Sequence, residues 1–200
     1  MSGPRATVNR TEILAGPGQL WYGRYGVATM PDPEDVGKPL LAADGWTDAG
    51  ATDGGLTQTV NQSTFAMRVD QVPDAVGYRI TERDIQVSTN IAQASLWNLA
   101  IALNHDPEEF ITEGTGYKRL ALKPGQDGML PDELTVVVAG WAPGGNLGRW
   151  AMLHRVTSIE NVESAWVKDG MHLVPVTFGA MFVDSETPPV EWIDEVAPES

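Results

Sequence analysis

Apolar and polar residues alternate with a period of two along several stretches of this 200-residue chain, the pattern of strands that turn one face inward. In Phe65 to Asp70, Phe65, Met67 and Val69 fall on one side and Ala66, Arg68 and Asp70 on the other. An aromatic-rich run bounded by glycines, Gln19 to Tyr25, predicts a first strand. The run Tyr78 to Ser88 is β-branched at its apolar positions yet carries Glu82, Arg83 and Asp84 in its middle. Its alternation breaks near Asp84, which predicts a bulge or two solvent-accessible faces. Further strands are expected over 117–122, 134–139, 149–157, 159–167 and 171–183. In the last, His172, Val174, Val176, Phe178, Ala180 and Phe182 form one stripe, and Pro175 favours an edge or bulged position.

A helical pattern stands out once. Thr89 or Asn90 offers a cap, Ile91 to Leu103 runs without Gly or Pro, and Leu96, Leu99 and Leu103 share a face with Ala92 and Ala100 close by. Asn104 and Pro107 end the helix, placed at about 90–104. Pro31, Pro33 and Pro39 forbid helix or central strand over 29–42 and predict an exposed loop. The expected architecture is one mostly-β (α+β) domain spanning 1–200. It has an N-terminal arm (1–17), a β core (18–183) with one flanking helix, and an acidic C-terminal arm (184–200).

Composition narrows the chemistry. With 21 Gly and 14 Pro, punctuation is too dense for a helical bundle. No cysteine is present, which removes disulfides, thiolate nucleophiles and cysteine-based zinc sites and fits a reducing cytosol. The start, Met1 to Arg5, leads into no apolar signal region, and the most apolar window, Leu96 to Leu103, is too short to span a bilayer. A net charge of −14 disfavours tight nucleic-acid binding, which draws on Lys and Arg, but suits a surface that DNA passes without adhering.

Catalytic patterns do not assemble. His105, His154 and His172 match no ligand spacing, and His172 reads as a hydrogen-bonded core or interface residue. Asp44, Asp48 and Asp53 flank glycines without the ligand spacing of a calcium loop, so they read as turn formers. The stretch Gly140 to Gly148 lacks a phosphate-loop lysine and reads as a hairpin turn. Neither an enzyme, nor a cofactor, nor a metal is expected. Seven tryptophans point to core or subunit interface ahead of a sugar platform.

Two stretches carry a family likeness: Gly45 to Asn104, with Gly45-Trp46-Thr47-Asp48-Ala49-Gly50, Val69-Asp70-Gln71 and Ser88-Thr89-Asn90 running into the helix, and Leu173 to Ala180 before the acidic tail. Their order resembles the major tail (tail tube) proteins of long-tailed phages, especially those of actinobacterial hosts. The resemblance covers about half the chain and implies a β-sandwich or barrel with one flanking helix. It implies six-membered rings that stack into a tail tube in the virion, assembled in the bacterial cytoplasm. Arms or loops would bridge the rings, the bore would be acidic, and the genome would be ejected through it. The implied partners are further copies of the chain, a tape measure protein, tail-end proteins and DNA in passage, with no membrane.

On that reading Asp70, Glu82 and Asp84 are candidates for the bore. An outer solvated face accounts for them equally, since the sequence does not orient the sheet. Arg68 and Arg83 are candidate inter-subunit ion-pair partners, and Trp192, Ile193 and the loop 29–42 offer apolar anchors between copies. The alternatives are a tail terminator or capsid decoration subunit, which would close at fixed size, and a glycan-binding module.

Overall fold

The computed structural model describes residues 16–143, 147–163, 165–166 and 168–196. Among them run ten strands: β1 (Gln19–Arg24), β2 (Trp46–Asp48), β3 (Thr52–Val69), β4 (Val72–Ile91), β5 (Ile111–Gly114), β6 (Tyr117–Leu120), β7 (Leu134–Trp141), β8 (Gly148–Ser158), β9 (Val174–Ala180) and β10 (Val190–Asp194). Two short helices, α1 (Leu96–Ala102) and α2 (Pro107–Phe110), lie between β4 and β5. The fold is mostly β. All pairings are antiparallel, in the order β2-β1-β7-β8-β9-β4-β3 with β10 also on β8, and β5–β6 form a separate small ribbon.

The sheet curls until its two ends share a core. Leu20 and Tyr22 of β1 and Val136 of β7 join one cluster with Ile85 and Val87 of β4 and Val176 and Phe178 of β9. Such closure hides apolar faces that a flat sheet would expose. β8 makes the turn possible because its halves have different partners. Residues 149–153 pair with β10 and 156–158 with β9.

Helix α1 plugs this core. Ser95, not Thr89 or Asn90, is its cap, accepting from Asn98 N–H at 3.1 Å. The alternation of Ile85, Val87, Thr89 and Ile91 keeps β4 extended to Ile91, so the helix begins only at Leu96, about six residues after the predicted start. The helix's buried positions are Asn98, Ala100, Ile101 and Ala102, whereas Leu96, Leu99 and Leu103 are half-buried at its margin.

A second core lies on the outer face of β1, β7 and β8, formed by Trp46, Val137, Trp150, Met152 and Leu40. The loop 29–42 is its cover: Met30 and Val36 pack against it, and Trp46 Nε1 donates to Thr29 O at 2.8 Å. The proline-rich loop therefore spends most of its apolar side chains on its own sheet, leaving Leu41 exposed.

Three further expectations change. Residues 159–163 form no strand; Ile159 is tied only by its N–H to Thr177 O, and Thr177 Oγ1 bonds Glu160. Strand β9 begins at Val174, so His172 precedes it and stacks on Trp166 instead. The C-terminal segment contributes β10, paired with β8 and pinned by Arg149–Asp194 hydrogen bonds of 2.5 and 2.6 Å. Pro175 pairs with Asn90 of β4 where β8 no longer runs alongside, so its missing N–H interrupts no ladder there. The N-terminal segment 1–15 and the turn at 144–146 lie outside the described residues.

Candidate self-assembly surface

The longest element pair is the ribbon β3–β4, 18 and 20 residues joined by the turn Asp70–Gln71. Its root is part of the sheet. Strand β9 covers β4 only from Gln86 to Ile91, so among the described residues β4 has no strand neighbour on that side from Val72 to Ile85. Strand β3 ends the sheet order and has no described neighbour on its outer side. At about 3.3 Å per residue, about 40 Å of two-stranded ribbon projects with both edges open. A lone ribbon of this kind is marginal in water.

Register assigns its faces. The pairs Asn61–Asp84 and Ser63–Glu82 lie on one face, Val60–Ile85 and Gln62–Arg83 on the other. Between Ser63 and Thr64 the register shifts because β4 carries one extra residue, Thr81. This is the bulge expected near Asp84, three residues along the chain. Past it, Phe65–Arg79 and Met67–Gly77 continue the acidic face, while Thr64–Ile80 and Ala66–Tyr78 continue the other. A second irregularity at the root, between Asp53 and Thr57, is made by Gly54 and Gly55 at φ of 76° and 81°, a region β-carbons disfavour.

Both faces expose large apolar side chains. Val60, Phe65, Met67, Val69, Val72, Val76, Tyr78 and Ile80 are each at least 40% exposed. An apolar surface this continuous, rimmed by charge, marks an interaction site. The basic residues add to it. In the body, Arg24 pairs with Asp106, Lys123 with Asp132, Arg149 with Asp194 and Arg155 with Glu133. Arg68, Arg79 and Arg83 join no ion pair with a described residue; Arg68 donates only to Pro73 O, at 3.3 Å.

The predicted site residues separate as follows. Glu82 and Asp84 share a face, where Asp84 accepts a 2.7 Å bond from Gln86, while Asp70 lies apart in the terminal turn. Arg68 and Arg83 belong to the opposite face. Trp192 is half-exposed beside the ribbon root and donates to Gln58 Oε1 at 2.9 Å. Ile193 packs into the second core of its own chain, so its alternation on β10 turns it inward. The apolar residues of the ribbon were not singled out from sequence. Their signal was alternation on both faces of a pair of long strands, which reads equally as a buried sheet.

Elsewhere the polar clusters are structural. His105 is buried, its Nδ1 lies 2.7 Å from Leu103 O, and its Nε2 accepts from Lys123 N–H at 2.9 Å, which fixes the neutral tautomer. Asp48 Oδ1 accepts from Gly50 N–H, a side-chain turn. His154 bonds Glu191 at 3.0 Å across β8 and β10. Among the described residues no three metal-ligating side chains converge, and no helix is long and apolar enough to cross a membrane. No protein-family model matches the chain, and no curated protein matches it in sequence.

Proposed function

We propose that this protein is a self-assembling subunit whose copies join through the β3–β4 ribbon into rings and stack as a tube, in the manner of a phage tail tube. The observation that carries the reading is the ribbon with two open edges and exposed apolar residues on both faces. If neighbouring ribbons point the same way, the outward-running β3 of one copy lies beside the returning β4 of the next. The two are then antiparallel, like every other pair in the molecule. Repetition by rotation uses one edge of each kind per copy and leaves none open, the closure that removes the liability of free strands.

The carboxylates suggest the orientation. Glu82 and Asp84 would line a bore that repels phosphate, Arg79 farther along that face would pair with a carboxylate of the next copy, and Arg83 and Arg68 on the other face would meet carboxylates of neighbouring walls. The function is mechanical and needs no bound cofactor. Six-fold rings, a tape measure protein within and tail-end proteins at the tips are the partners that the family likeness supplies for this proposal.

Negative-stain microscopy of concentrated protein tests it. Rings or tubes are expected; closed particles of one size that never elongate point to a terminator or decoration subunit. A strictly monomeric species at millimolar concentration rejects self-assembly.

A further inference from the structure

A hollow of about 750 Å³ lies on the ribbon face opposite Glu82 and Asp84, floored by Val60, Gln62, Arg83 and Ile85 and walled by residues 181–189 and Trp192. It opens where the chain leaves β4. Past Ala180 the Met181 N–H turns to Arg155 O of β8, at 2.8 Å, and the segment crosses to β10. Asp184 folds that crossing into a turn, accepting Glu186 N–H at 2.8 Å and Thr187 N–H at 2.7 Å. On the wall so made, Phe182 is 74% exposed and Trp192 54%.

Two features select an occupant. The inner side of the hollow is the open edge of β4, whose backbone groups are met by extended chain. Among the described residues, β3 is the strand whose free edge is long enough to follow β4 from Val72 to Ile85. The second feature is charge. Asp184 is occupied by its own turn, whereas Arg83 and Glu186 join no ion pair with a described residue and bring one charge of each sign. The row that β3 carries on this face, Gln58, Val60, Gln62, Thr64 and Ala66, is uncharged. A glutamine amide in it can accept from the guanidinium and donate to the carboxylate.

We propose that β3 of a second copy enters this hollow along the β4 edge, with Phe182 and Trp192 closing over its uncharged row. On the ring reading, on which this rests, the joint is then gripped by the body of the molecule as well as by the ribbon. Rotation about an axis along the ribbon leaves heights unchanged. The stretch of β3 brought beside Arg83 is therefore the one near Gln62, the partner of Arg83 within its own copy.

Cysteine pairing tests the clamp, since the chain has no thiol of its own. Copies carrying Phe182→Cys are mixed with isotopically heavy copies carrying Val60→Cys, Gln62→Cys or Asn61→Cys, then assembled and oxidised. Disulfide dimers of one light and one heavy chain are expected about tenfold more often from Val60→Cys or Gln62→Cys than from Asn61→Cys, which lies on the other face. Dilute monomers should give none. Phe182→Asp is expected to raise the concentration needed for assembly about tenfold, with the unfolding midpoint unchanged. Assemblies that show no such face preference, or that form normally with Phe182→Asp, reject the clamp and leave the ring standing. A wild-type chain that never assembles rejects the ring reading and the clamp with it.

Discussion

Tyr22 of β1 donates its hydroxyl to Asn98 Oδ1 of α1 at 2.9 Å, a buried side-chain bond that ties the sheet to the helix plugging it. Asn98 also donates to Ala49 O at 3.0 Å and Gln93 O at 2.8 Å, so one amide holds three segments. Burial first, and Asp48 second, push the Tyr22 hydroxyl far above its ordinary pKa, so it remains a donor throughout the working range.

Asn98→Ala leaves a hydroxyl and two carbonyls without their partner and is expected to cost about 3 kcal/mol, against about 1 kcal/mol for Tyr22→Phe. Urea unfolding would show lowered midpoints with unchanged slope for both. Equal losses would mean that the helix is not anchored through this amide.

Asn104 has φ of 58° and uses its side chain to hold Ser158 N–H, Ser158 O and Thr157 Oγ1 at 2.7–2.8 Å. Both Asn104→Gly and Asn104→Ala lose those bonds, but only alanine keeps a β-carbon in the left-handed region. Alanine should therefore be worse by about 1 kcal/mol, read from the difference in unfolding midpoints.

On the ribbon, Ile80 and Ile85 lie on one face but differ in exposure, 55% against 3%. Ile80→Asp is expected to change monomer stability by less than about 0.5 kcal/mol while abolishing sedimentable assemblies. Ile85→Asp should cost more than about 3 kcal/mol and disturb the core itself. Assemblies that form normally with Ile80→Asp would remove the ribbon from the interface.

Glu82→Lys combined with Asp84→Lys should leave assembly intact but make tubes retain double-stranded DNA, with affinity falling steeply as salt rises. Arg68→Ala should not produce retention. A filter-binding salt series separates them, and tubes that ignore DNA in the double variant would place these carboxylates on the outside.

Arg149 holds the Asp194 carboxylate below its ordinary 3.8, chiefly by hydrogen bonding, against a smaller upward push from burial. A depressed folded value means that the contribution is present above the unfolded pKa and is lost as pH falls through the folded one. Both side chains are more than a third exposed, so the screened pair is worth less than about 1 kcal/mol. Amide exchange in β10 is expected to quicken below pH 4, and Asp194→Asn should remove that acid dependence.

Several strands were legible. β1, β7 and β8 read as strands from their β-branched and aromatic runs, and β7 and β8 are buried without alternation over Leu134–Val137 and Trp150–Leu153 because a core covers each of their faces. The start of α1 was not, since Val87 to Ile91 continues a β alternation into residues that also suit a helix. Strand β10 was missed because Val190 to Asp194 is short, acidic and follows two prolines. Its partner and its arginine come from residues some 40 positions earlier. Glu82 and Asp84 were legible as a charged face, but Asp70 shares the alternation of Arg68 only until the chain turns. Two accessible faces were among the expectations for Tyr78 to Ser88, but the exposure of Phe65 was not legible, because alternation records where an apolar side chain points and not whether anything covers it.

Thr81 has a meaning beyond the bend it makes. A plain ladder repeats every two residues, so neighbouring ribbons could slide by about 7 Å and find equivalent pairing again. One extra residue in β4 breaks that translational sameness and acts as a key that fits a single offset. Should the copies stack as proposed, the axial pitch of the whole filament would be written in one inserted threonine, and its deletion should yield walls of irregular pitch.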